Sequence, residues 1–192
     1  MSASRTPTPG QTVGPFFGYA LPFDGDHELV PTSHPGALRL HGTVYDGDGA
    51  PVPDALVEVW QRDPAGELVR QQGSLRRDAY TFTGWGRCAT DPTGHFAFTT
   101  LRPGASGQAA PFFALTVFAR GLLDRLFTRA YLPGDDAVSN QALANDPLLV
   151  SLPAERRGTL VAVADEHGLV FDVHLQGDAE TVFLAFPGGP GR

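Results

Sequence analysis

The chain has 192 residues, 42% of them hydrophobic and 18% charged, which fits one sizeable folded domain with its own core and excludes both a two-domain protein and a disordered one. Its formal net charge of −7 argues against a nucleic-acid or anionic-membrane surface, since both call for clustered Lys and Arg. A single cysteine, Cys88, excludes a disulfide within the sequence and a Cys-based zinc site; no apolar run nears the roughly 18 residues of a bilayer span, and with no signal peptide visible the cytoplasm is the expected compartment.

Residues 1–36 read as an irregular N-terminal arm. Its stretch TPGQTVGPFFGYALPF (8–23) is too rich in Pro and Gly for a helix and too interrupted for a central strand. Short β-rich runs then dominate. ALRLHGTVY (37–45) is followed by the turn cluster DGDG, and ALVEVWQ (55–61) puts Leu56, Glu58 and Trp60 on one face and Val57 and Val59 on the other. The turn DPTG (91–94) leads into HFAFTT (95–100), where Phe96 and Phe98 share a face. APFFALTVFA (110–119), RLFTRAYL (125–132), GTLVAVAD (158–165), LVFDVHL (169–175) and TVFLAF (181–186) follow, with DEHG (165–168) as a hairpin turn. Segments 135–149 and 153–160 each have room for a short helical turn. About eight strands, spaced roughly 10 to 20 residues apart, give the rhythm of an all-β sandwich over 37–186, with 187–192 (PGGPGR) as a loose tail.

Common catalytic signatures are absent: there is no G-x-S-x-G, no phosphate-binding glycine loop and no H-E-x-x-H. The six histidines show no metal-ligand spacing; His27 and His34 lie seven apart in the arm, His95 and His167 beside turn glycines, His41 and His174 inside strands. Ser74, Ser106, Ser139 and Ser151 sit in polar or Pro/Gly-rich surroundings, none on a strand-to-helix elbow. Cys88 follows Arg87, which could lower a thiol pKa, although a half-buried strand cysteine is the plainer reading. Arg120 ends an apolar strand and reads as structural. Arg129 interrupts one, so it either faces solvent, pairs with an acid, or receives an anionic ligand.

Five stretches in order carry a resemblance: TPGQTVGPFF, GTVYDGDGAPVPDALVEVWQRDPAGE (42–67), GWGRCATDPTGHFAFTTLRPG (84–104), APFFALTVFARGLLDRLFTRAYLPGD (110–135) and DPLLVSLPAERRGTLVA (146–162). Over roughly residues 6 to 186 the chain resembles the intradiol ring-cleavage dioxygenases, and in FARGL…LFTR.Y and P.ERR.TL the α chains of members built from two related subunits. The resemblance implies a β-sandwich. It also implies a reaction in which a catechol chelates Fe(III) and O2 cleaves the bond between its two hydroxylated carbons, here with 3,4-dihydroxybenzoate (protocatechuate) as substrate and no organic cofactor.

Catalytic members hold iron with two tyrosines and two histidines. The matching positions here are Leu68, Ser106, Phe113 and Leu115, so all four ligands are replaced. This departure is the pattern of the α chain: Fe(III) is held by a partner β subunit, and the α chain lines its pocket. The resemblance assigns that lining to Thr12, Gly14, Pro15 and Phe16 of the arm and to Arg129. A Pro/Gly arm suits the task, because Pro fixes φ and Gly lets backbone approach a ligand closely. The competing expectation is a non-catalytic β-sandwich binding or scaffold module. An autonomous enzyme with another metal at His27 and His34 is a third, weaker one.

Overall fold

A computed structural model describes residues 17–71 and 77–186. Nine short strands lie among them: β1 (Leu38–Tyr45), β2 (Leu56–Trp60), β3 (Trp85–Ala89), β4 (His95–Thr100), β5 (Phe112–Phe118), β6 (Leu126–Tyr131), β7 (Val163–Asp165), β8 (Gly168–Val170) and β9 (Val173–His174). They form two sheets. The first runs β4-β1-β8-β7, with β9 also paired to β1; the second is the antiparallel β3-β2-β5-β6. One apolar core joins Leu40, Val44, Phe96 and Phe98 of the first sheet to Val57, Val59, Phe113, Leu115 and Val117 of the second. This is the all-β sandwich that the strand rhythm predicts.

The second sheet keeps strict alternation, so its outer face is read directly from register. Pairing of Trp85 with Trp60, Trp60 with Ala114 and Ala114 with Arg129 makes one row across four strands. Arg87, Glu58, Thr116 and Phe127 make the next.

Helical segments are few and short: α1 (Phe17–Ala20), α2 (Ala137–Asn145), α3 (Pro147–Ser151) and α4 (Ala154–Arg157), the last running into a 3-10 turn at Gly158–Leu160. Asp136 caps α2 with Ser139 in a reciprocal capping box. Asp146 caps α3, with Pro147 in its first turn. Thus 135–149 holds most of two helices where one helical turn is expected.

Three strand expectations need correction. The run 158–165 is a strand only from Val163, because Gly158–Leu160 closes as a 3-10 turn. The run 169–175 is split: Phe171 N still donates to the His41 carbonyl at 2.7 Å, but the Asp172 carboxylate takes the Thr43 amide at 2.8 Å in place of a backbone acceptor. The run 181–186 is no strand. Leu184 N reaches the Phe127 carbonyl and Thr181 N the His174 carbonyl, but between them threonine hydroxyls take over: Thr128 donates to Val182 O and Thr159 accepts from Val182 N. Conversely β3 carries no apolar alternation. Its WGRCA forms a strand because Arg87 finds Glu58 across the ladder, with Gly86 and Cys88 turned the other way.

Gly42 sits where β1 meets Phe171, and a methyl group there would run into the Phe171 carbonyl. Gly42→Ala is expected to destabilise the protein by roughly 1–3 kcal/mol, the usual range for overpacking, read as a lower urea midpoint with unchanged slope.

Candidate functional site

Outward-facing residues of β6 recur every second position, so Arg129 and Tyr131 project from the same side. The two then diverge. Tyr131 is fully buried against Ala110, Leu149 and Leu160, where the helical segments cover the end of the sheet. Arg129 is half-buried, its guanidinium carbon 4.1 Å from the ring centroid of Phe112 on the neighbouring strand.

A hydrogen-bond chain runs inward from the arginine. Arg129 Nη1 donates to the Tyr131 hydroxyl at 2.9 Å, and that hydroxyl donates to Asp146 Oδ1, also at 2.9 Å. Asp146 is itself fully buried. Its Oδ1 further accepts from the amides of Leu148 (2.9 Å) and Leu149 (3.2 Å), and its Oδ2 from the amide of Ala110 (3.0 Å). Burial pushes the Tyr131 hydroxyl well above the ordinary phenol range; the Arg129 guanidinium opposes the rise and the Asp146 carboxylate adds to it.

The four positions matched to iron ligands offer a ferric ion almost nothing. Phe113 and Leu115 point into the sandwich core, and Leu68 is exposed on the loop after β2. Ser106 lies in a tight loop closed by mutual backbone bonds with Ala109. Beside it, Trp60, Gln61, Arg62, Gly104 and Phe112 enclose a cavity of about 10 Å3, room for about one water and far too little for a catechol ring. Hydrocarbon side chains have no lone pairs, and a lone serine hydroxyl does not make a ferric site, so these residues do not fit the metal.

Thr12, Gly14, Pro15 and Phe16 lie outside the described residues, as does Ser74. The arm is described from Phe17, which is buried. Just beyond α1, the Leu21 carbonyl accepts from Arg87 Nη1 at 2.6 Å, and the same guanidinium pairs with Glu58 and lies over the Trp85 ring. The arm is thereby fastened to the outer face of β3 and β2. Arg129 stands on that face three strands away, about 14 Å by ordinary strand spacing.

Other candidates are occupied locally. His27 Nδ1 lies 3.2 Å from Asp26, His34 accepts from the Gly36 amide, and His41 meets Asp165. Arg120 pairs with Asp54. Burial pushes the Cys88 thiol up rather than down, because Arg87 turns to the opposite face. Ser139 caps α2 and Ser151 donates to the Leu148 carbonyl. Phe112, Tyr131 and Asp146 are the residues that sequence reasoning missed. The sequence holds a local signal for two of them, the i, i+2 spacing of Arg129 and Tyr131 and Asp-Pro at 146–147 as a helix start, but none for Phe112 and none that joins Asp146 to Tyr131.

Comparison with known proteins gives a consistent picture. A dioxygenase family model matches residues 13–115. The protocatechuate 3,4-dioxygenase alpha chain of Burkholderia cepacia is 39% identical over 92% of this chain and 96% of its own. The beta chain of the same enzyme and organism is 33% identical over 79% of this chain and 72% of its own. Among solved structures, the dioxygenase domain of a dioxygenase and carbohydrate-binding fusion protein from Streptomyces sp. SirexAA-E superposes with a TM-score of 0.55. It covers 90% of this chain and 99% of that domain at 25% identity.

Removing the buried acceptor tests how far the site depends on it. Asp146→Ala leaves three amides and the Tyr131 hydroxyl hydrogen without their acceptor. The expected loss is at least about 3 kcal/mol, from the lost cap and the unsatisfied donors together, measured by chemical denaturation.

Proposed function

This chain belongs to the intradiol ring-cleavage dioxygenases, and we propose that it serves there as the α subunit of a protocatechuate 3,4-dioxygenase. In this reading Fe(III) is held by a β subunit, and the present chain supplies part of the wall of that subunit's pocket. The reaction is the cleavage of 3,4-dihydroxybenzoate between its hydroxylated carbons. Both atoms of O2 enter the product, 3-carboxy-cis,cis-muconate, in a step of the β-ketoadipate pathway. The ring supplies the electrons, so no reducing cofactor is consumed.

One observation carries the reading. The positions that would ligate iron are occupied by Leu68, Ser106, Phe113 and Leu115, while a half-buried arginine stands on an outer sheet face beside aromatic side chains. A pure scaffold has no use for such a charge. An anionic ring acid does: the Arg129 guanidinium offers its remaining N–H groups to a carboxylate. The identity to an alpha chain over nearly its whole length supports the same assignment. The arm residues Thr12, Gly14, Pro15 and Phe16 are proposed as the second contribution to the pocket. Support for this comes from the fastening of Leu21 to the face that bears Arg129.

The test is co-expression with an iron-bearing β chain. The pair is expected to contain iron, to show tyrosinate-to-iron absorption and to take up O2 with protocatechuate; this chain alone is expected to be colourless and inactive. Stoichiometric iron and turnover in the chain alone would sink the assignment. In the pair, Arg129→Ala is expected to raise KM for protocatechuate by about 10- to 100-fold, as for a lost charge-assisted hydrogen bond, with iron content unchanged. Wild-type kinetics in that variant would remove Arg129 from the pocket.

A further inference from the structure

We infer that Tyr131, oriented by Asp146, is a positioning residue that presents the Arg129 guanidinium to the carboxylate of the substrate. The inference rests on the pocket-lining role of Arg129 given above and adds how that role is prepared.

The donor and acceptor inventory allows one arrangement only. A guanidinium has no acceptor, and both oxygens of Asp146 already accept from backbone amides, so the carboxylate takes hydrogens and gives none. The single hydroxyl hydrogen of Tyr131 must therefore go to Asp146, which leaves a lone pair facing Arg129 Nη1. Asp146 cannot turn away, because three backbone amides hold its two oxygens. Tyr131 cannot tilt, because it is buried between Ala110, Leu149 and Leu160. The arginine is thus held at Nη1 by a fixed oxygen and over one face by the Phe112 ring at 4.1 Å. Among the described residues no group bonds its Nε or Nη2. That edge is the fork that binds a carboxylate through two parallel N–H groups.

Phe112 and Asp146 are linked as well. The Ala110 amide that Asp146 holds lies two residues before Phe112, at the entry to β5. The carboxylate therefore sets both contacts of the guanidinium, the hydroxyl and the ring.

The experiment uses the co-expressed αβ enzyme with Tyr131→Phe, Arg129→Ala and the double variant. It compares KM and kcat for protocatechuate with competitive inhibition by the uncharged 3,4-dihydroxybenzamide. Tyr131→Phe is expected to raise KM about tenfold, the worth of one hydrogen bond to a charged group. It should leave kcat and the amide's inhibition constant nearly unchanged, and the double variant should be no worse than Arg129→Ala. If Arg129→Ala raises KM but Tyr131→Phe does not, the positioning role is overturned and the pocket role of Arg129 stands. If Arg129→Ala is silent, both fall. Equal weakening of acid and amide by Tyr131→Phe marks a merely structural residue and also overturns the inference. Should that variant fail to assemble, Phe112→Leu removes the other contact and is expected to raise KM for the acid alone; no shift overturns the inference.

Discussion

The Asp146 carboxylate is fully buried, and a carboxylate that water cannot reach must be matched by donors from the protein itself. Its donors come from three parts of the chain: the amide before β5, the hydroxyl at the end of β6, and the first amides of α3. One group thus fixes where a central strand begins, where an edge strand ends and how the helical segments sit on both. The apolar cluster of Ala110, Tyr131, Leu149 and Leu160 closes around this arrangement. Among the described residues no cation touches the carboxylate directly. The Arg129 charge is one hydroxyl away, which spares the site the desolvation cost of a fully buried ion pair while still linking the two charges.

The same strands show why this chain cannot be both a packed sandwich and an iron site at these positions. Phe113 and Leu115 are fully buried in the common core, and each such side chain contributes roughly 1.5–3 kcal/mol through burial. Imidazoles in their places would be polar groups among hydrocarbon, tolerable only with a metal or hydrogen-bond partners to satisfy them. Phe113 and Leu115 fill the space with hydrocarbon instead, and the cavity beside Ser106 holds only about 10 Å3. What such a chain can offer a catalytic partner is surface shape and charge.

Most of the sandwich was legible because strands report themselves by period. Val57 and Val59 against Glu58, and Phe96 with Phe98, place inner and outer faces without any coordinates. β3 was not legible: its outward Arg87 is stabilised by Glu58 on another strand, a pairing that local pattern does not contain. The run 181–186 failed in the opposite sense. It has strand composition, but its amides go to two different segments, at His174 and Phe127, with threonine hydroxyls on Val182 between them, so no ladder forms. At the site, Arg129 stood out as a charge within an apolar strand. Its partners did not, because Asp146 lies 15 residues from Tyr131 and meets it only through the fold. The replaced ligand positions were readable solely through the resemblance, since Leu68 or Phe113 looks ordinary on its own.

An arginine on a flexible loop would lose most of its side-chain freedom on meeting a ligand, a cost of about 2 kcal/mol set against binding. Arg129 has already lost much of it in the folded chain. A strand fixes its backbone, the Tyr131 hydroxyl holds one nitrogen and Phe112 covers one face. Such pre-organisation also concerns direction. A rigid sheet carries the guanidinium on the same row as Ala114, Trp60 and Trp85, so its place relative to the fastened arm follows from strand register rather than loop conformation. In the α-subunit role proposed above, groups have to be delivered across an interface, and a rigid, pre-organised placement suits that task. The buried Asp146, two hydrogen bonds behind the guanidinium, is where that placement originates.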